Sequence, residues 1–266
     1  MKRISLLIFV ILIILFAGCG NKETTDVKHE VCKYNNSSIN LAKGTYYVNI
    51  NIDSANLQIY CWDKKEIKYE VKHIIRDNKP IEELGELLNK YSIKSETKEN
   101  TLFFSVNYDG KIKNSEDIYS DVKLTIPRKI KTVNITQQLG NLIVEDKYTG
   151  NIDAELDSVN SEIKSLKGQL LLECNKGNLR LNSGRLSRNS SVKINKGNIY
   201  IKAQCQEQSQ YSFETETGNI ELNLPIDSNI LLQSFGRVKY NQFTGIEGDI
   251  HIETSAKTGE ISVNGY

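Results

Sequence analysis

The chain has 266 residues, 39% of them hydrophobic, with a formal net charge of +1, a balance that excludes both wholesale disorder and a polytopic membrane protein. Setting Lys2 and Arg3 aside leaves 32 basic against 33 acidic residues, and so neutral a body offers no electrostatic basis for nucleic-acid binding. Three Pro argue against Pro-rich linkers, and a single Met and Trp leave little for a Met-rich groove.

Lys2 and Arg3 precede an apolar run from Ile4 to Ala17, broken only by Ser5 and ending at Phe16-Ala17-Gly18-Cys19. The order of basic, apolar and small residues is that of a secretory signal, and the run is shorter than the ~20 residues a spanning helix needs. Small residues directly before a Cys resemble the lipobox of bacterial lipoproteins, in which that Cys is acylated and becomes the mature N-terminus. Phe16 departs from the Leu usual three places before the Cys. Residues 1–18 are thus expected to be a lipoprotein signal peptide and Cys19 the lipidation site, with two acyl chains giving stable anchoring. The expected location is the extracytoplasmic face of the cell membrane. Residues 19–43 are polar, include Asn35-Asn36-Ser37-Ser38 and lack periodicity, so they read as a flexible tether.

From Thr45 onward the chain alternates polar and apolar residues. Tyr46 to Ile52, Leu57 to Tyr60 and Ile67 to Ile74 read as strands separated by turns at Asp53-Ser54 and Asp63-Lys64-Lys65. Pro80 opens an amphipathic helix to about Lys90, with Ile81, Leu84, Leu87, Leu88 and Tyr91 on one face. Strands resume at Thr101 to Val106 and Asp121 to Ile126, and Pro127 stops the second. Residues 44–131 therefore form an N-terminal β-rich segment with one helix.

Residues 132–266 repeat one unit: Gly, a polar residue, an apolar one, any residue, an apolar one. The unit starts at Gly140, Gly150, Gly168, Gly177, Gly197, Gly218, Gly236, Gly248 and Gly259. Spacings near ten and near twenty residues are the arithmetic of coils of about twenty residues carrying short strands. The expected fold class is all-β: a parallel β-helix-like β-solenoid, with apolar rows pointing inward and stacking coil upon coil.

Ala55-Asn56 through Trp62-Asp63, the helix after the third strand, Leu124-Thr125-Ile126-Pro127 and the Gly-Asn-Ile repeats resemble the DUF4097 "putative adhesin" domain of bacterial surface proteins. The resemblance covers about residues 44–266. The family turn is commonly Ser-Gly-Asp, and here Gly248-Asp249 keeps the Asp while most corners carry Asn. The resemblance implies a surface-exposed β-solenoid of adhesive or envelope-related role and transfers no catalytic residue.

Cys32, Cys61, Cys174 and Cys205 follow Cys19; the repeat phase puts Cys174 and Cys205 in the inward row, where free Cys packs well. Export permits a Cys174–Cys205 disulfide, which spacing leaves open. His29, His73 and His251 are scattered, with His251 at an outward position. No motif for nucleophilic, zinc-hydrolase or phosphate-loop chemistry occurs, and neither metal nor cofactor is expected. Outward Asp153, Arg180, Lys193, Glu221, Arg237, Lys239 and Glu260 are the residues an envelope polysaccharide-cleaving enzyme would draw on. Corner residues Asn141, Asn151, Asn178, Asn198 and Asn219 stack along one edge in the repeat phase, by turn chemistry or as a ligand-binding strip. The same phase puts Tyr200 outward beside Arg180 and Lys193. The terminal coils near Phe243, Ile250, Ile261 and Val263 are expected to form a contact surface. The function expected is a non-catalytic adhesion or envelope-binding module, anchored to the membrane through Cys19 and facing a cell-wall polymer or envelope protein, with no nucleic acid.

Overall fold

Alternation in residues 47–62 decides what lies inside: Val48, Ile50, Ile52, Leu57 and Ile59 are buried, while Asn56, Gln58 and Tyr60 face outward. The computed structural model describes residues 28–41, 44, 46–112, 117–245 and 247–266. The signal segment and Cys19 lie outside them. Among the described residues the fold is all-β with one short helix. In chain order the elements are β1 (His29–Asn40), β2 (Tyr47–Trp62), β3 (Glu66–Asp77), α1 (Ile81–Leu88), β4 (Tyr91–Lys98), β5 (Thr101–Tyr108) and β6 (Ile118–Pro127). They continue with β7 (Thr132–Thr149), β8 (Asn151–Gly168), β9 (Leu170–Lys176), β10 (Leu179–Leu181), β11 (Gly184–Leu186) and β12 (Ser190–Lys196). The last are β13 (Ile199–Lys202), β14 (Gln204–Cys205), β15 (Ser209–Thr217), β16 (Ile220–Leu224), β17 (Ile230–Asn241) and β18 (Ile250–Gly265).

Three parallel ladders organise the repeats. In the first, Phe104, Ile50, Ile135, Ala154, Leu172, Val192, Phe213 and Thr254 stand side by side in register, and all are buried. In the second, the row is Leu57, Leu142, Ser161, Leu179, Ile199, Ile220 and Ile261. A short third ladder joins the ends of β7 and β8 to β11 and β14. Neighbouring strands lie about 4.8 Å apart, so each row is a continuous spine, apolar except at Thr254 in the first and Ser161 in the second. A corner between ladders leaves no room for a Cβ: Gly197 has φ of 148°, and a side chain there would run into the carbonyl oxygen of Gly177.

The rungs are not stacked in simple chain order. β18 pairs in parallel with β15 and β16 on one side, and β17 lies against its other side. The C-terminal strand is thus inserted beneath β17, which becomes the outermost rung. This corrects two expectations drawn from the repeats. Val238 and Tyr240, inward in the repeat phase at Gly236, are 45% and 47% exposed, because no further rung covers them. Phe243, Ile250, Ile261 and Val263 are buried and form no contact surface.

Three further expectations change. His29–Asn40, within the supposed flexible tether, is the edge strand β1, antiparallel to β3. Its residues are mostly exposed, so it carries no apolar alternation to betray it. Asp53-Ser54 is not a break: β2 runs through it, with the Asp53 carboxylate accepting the Tyr108 N–H and Ser54 Oγ donating to the Ile118 carbonyl. The helix begins after Pro80 as expected but buries only Leu84 and Leu88, leaving Ile81 exposed; it packs with Ile75 and Tyr108.

Candidate functional site

Beside the second ladder, β7, β2, β6, β3 and β1 lie in that order, parallel across the first three and antiparallel across the rest. One side of this sheet belongs to the core, through Leu57, Ile59, Val71, Val122 and Leu124. Side chains alternate across a strand, so their neighbours must share the other side. There the register produces two rows: Asn141, Asn56, Asp121, Lys72 and Tyr34, and next to them Ile143, Gln58, Lys123, Glu70 and Asn36. Together they line a groove of about 630 Å³.

The first row is tied together. Asn141 Nδ2 donates to Asn56 Oδ1 at 2.8 Å and Asn56 Nδ2 to Asp121 Oδ1 at 2.9 Å. Lys72 Nζ sits 5.6 Å from the centroid of the Tyr34 ring, and Lys123 Nζ 4.8 Å from that of Tyr60. Lys68 donates to the Glu70 carboxylate at 2.7 Å, and this contact, with Lys123 nearby, holds the Glu70 carboxyl below its usual range. Glu70 therefore stays ionised at neutral pH and is no reservoir of a catalytic proton.

The corner asparagines divide into separate columns. Asn160, Asn178, Asn198 and Asn219 form one: Oδ1 of each of the first three accepts the backbone N–H of the next, and Asn219 Oδ1 accepts that of Glu260. Asn141 belongs to the groove, and Asn151 Oδ1 accepts the Gln169 N–H elsewhere. The column satisfies backbone groups of successive turns, which is the structural task of such side chains.

The guanidinium of Arg180 lies 4.0 Å from the centre of the Tyr200 ring. Lys193 is not beside them: it stands on the first ladder between Glu173 and Glu214. Asp153 shares that ladder, whereas Glu221, Arg237, Lys239 and Glu260 lie on the second. The expected charged residues are thus split between faces, and Glu260 is engaged by Arg237 at 3.5 Å and Lys239 at 3.2 Å.

His251 is exposed, and His29 lies on the exposed strand β1. His73 is buried against Ser120 and Tyr91, an arrangement that its sequence position did not signal. Cys174 and Cys205 are free thiols on different ladders, as are Cys32 and Cys61. Burial pushes the Cys61 thiol up to about 11 and that of Cys205 up to about 12, which makes both poor nucleophiles.

Parallel ladders whose corners are stitched by glycine and asparagine define an all-β repeat protein. The Toastrack DUF4097 family matches residues 113–264, more than half of the chain, and the chain belongs to that family. No curated protein matches it. Among solved structures, a "putative cell adhesion protein" from Clostridium sporogenes is 14% identical, with a TM-score of 0.36 over 88% of this chain and 100% of its own. A "putative adhesin" from Bacteroides fragilis is 12% identical with a TM-score of 0.39, covering 87% of this chain and 97% of its own. A "putative lipid binding protein" from Parabacteroides distasonis is 12% identical with a TM-score of 0.32, covering 86% and 96%.

Proposed function

We propose that this protein is a non-catalytic adhesion or envelope-binding module, held at the outer face of the cell membrane by lipid on Cys19. In this reading residues 132–266 form the β-solenoid body, the ladders being its faces, and the binding surface looks toward the wall. The observation that carries it is the groove of β7, β2, β6, β3 and β1, a lined cleft on a rigid sheet. Its size falls within the roughly 300–1,000 Å³ of ligand sites.

The test is co-sedimentation of the full chain, in detergent micelles, with purified wall sacculi and with envelope protein fractions. Saturable retention on either supports the reading. Release of new reducing ends from the sacculi would replace it with the polysaccharide-cleaving alternative. The anchor is tested separately by fatty-acid labelling in cells: Cys19→Ala should abolish it, and persistent labelling would overturn the anchor.

A further inference from the structure

The groove's lining is specific enough to name a class of ligand, an inference that rests on the envelope-binding reading. We infer that it takes a short stretch of neutral saccharide. Three features of the lining point there together.

The first is charge. Lys72 and Lys123 face Asp121 and Glu70 across adjacent strands, so the lining carries two positive and two negative groups arranged as alternating neighbours. Such a surface has no net field with which to capture a phosphate polymer or a polycation.

The second is hydrogen-bonding type. Each sugar hydroxyl both donates and accepts, and a primary amide side chain does the same. Asn56, Gln58, Asn141 and Asn36 supply four of them along the two rows. The Asn141–Asn56–Asp121 chain fixes the orientation of two of them, Asn141 and Asn56, and each of these Nδ2 groups retains a second hydrogen to offer. Donors and acceptors are thereby preorganised, which lowers the cost of ordering them on binding.

The third is the aromatic rings. Tyr34 closes the first row at the β1 end and is 69% exposed, while Tyr60 lies just beyond Gln58 on β2, its hydroxyl 3.4 Å from Gln58 Oε1. Pyranose rings present faces of C–H groups that pack on aromatic rings, while their hydroxyls reach the polar groups between; an amphipathic ring is suited to this work. The ammonium of Lys72 at Tyr34 and that of Lys123 at Tyr60 hold the two rings in place. A hydrocarbon chain would leave the four amides unpaired, a penalty that selects against it.

The experiment is calorimetric titration of the full chain, in a detergent without a sugar headgroup, with cellohexaose, maltohexaose, N-acetylchitohexaose and linear polyphosphate. At least one neutral hexasaccharide should bind saturably. Tyr34→Ala and Asn56→Ala should each weaken it by about tenfold or more, while Tyr200→Ala, outside the groove, should leave affinity within about twofold. Tyr34 is exposed, so its variant folds as the parent does, and a thermal melt verifies this. Failure of every neutral oligosaccharide to bind, preferential binding of polyphosphate, or unchanged affinity in both groove variants would overturn the inference. Sacculus retention that survives both groove variants would overturn the inference and leave the envelope-binding reading standing. Oligosaccharide binding without retention on sacculi or envelope proteins would sink that reading alone.

Discussion

His73 Nδ1 lies 2.9 Å from Ser120 Oγ in a site where the imidazole is buried and stacked at 4.1 Å on the ring of Tyr91. Burial, with Lys33 of β1 nearby, lowers the imidazole to about 4, against about 6.5 for a free histidine. No carboxylate contributes to this shift, and the contacts come from Tyr91 on β4, Ser120 on β6 and Lys33 on β1.

A pH dependence follows. Between pH 6.5 and 4 the unfolded chain binds the proton and the folded chain does not, so stability falls as pH falls through that window. The full difference is about 3 kcal/mol. Glu30, Glu70 and Glu216, each lowered by a basic partner, also lose stabilisation on acidification, so the comparison must be between variants. His73→Gln should show a shallower loss of Tm from pH 7 to pH 4 than the parent; equal slopes would refute the assignment.

Gly197 and Gly85 should respond oppositely to the same change. Gly197 has φ of 148° and the Gly177 carbonyl beside it, so Gly197→Ala meets both backbone strain and a clash, costing about 3 kcal/mol or more. Gly85 is inside α1 with nothing near its missing Cβ, and Gly85→Ala should gain about 0.5–1 kcal/mol from helix propensity. Chemical denaturation midpoints measure both.

Ser161 interrupts the second apolar spine between Leu142 and Leu179, and its buried Oγ has no hydrogen-bond partner. Ser161→Ala removes an unpaid desolvation and should be neutral or stabilising by about 1 kcal/mol. Ile199→Asp, two rungs on, places an unpaired carboxylate between Leu179 and Ile220 and should prevent folding or cost more than about 4 kcal/mol.

The insertion of β18 beneath β17 separates two valines that the repeat unit turns inward alike. Val263 is fully buried and Val238 is 45% exposed. Val238→Lys should stay within about 0.5 kcal/mol of the parent, whereas Val263→Lys should be severely destabilising. Similar melting shifts for the two would contradict the order of rungs.

Much of this was already written in the amino-acid sequence. Period two in β2, the Pro80 start of α1 and the Gly-x-apolar-x-apolar unit locate strands, helix and inward rows, because these are local consequences of backbone geometry. The unit predicts burial at Leu142, Ile199, Ile220 and Ile261 and misses at Val238, since an inward-pointing residue is buried only if another rung covers it. Whether one does depends on where β18 inserts, which no local pattern records. The same holds for β1, whose polar residues show no alternation at the edge of a sheet, and for His73, whose partners stand on other strands. The groove was invisible for the same reason. Tyr34, Lys72, Asp121, Asn56 and Asn141 become neighbours only when antiparallel and parallel registers are laid side by side. Periodicity states which face a side chain takes; only strand pairing, settled by burial of the opposite face, decides what it stands next to.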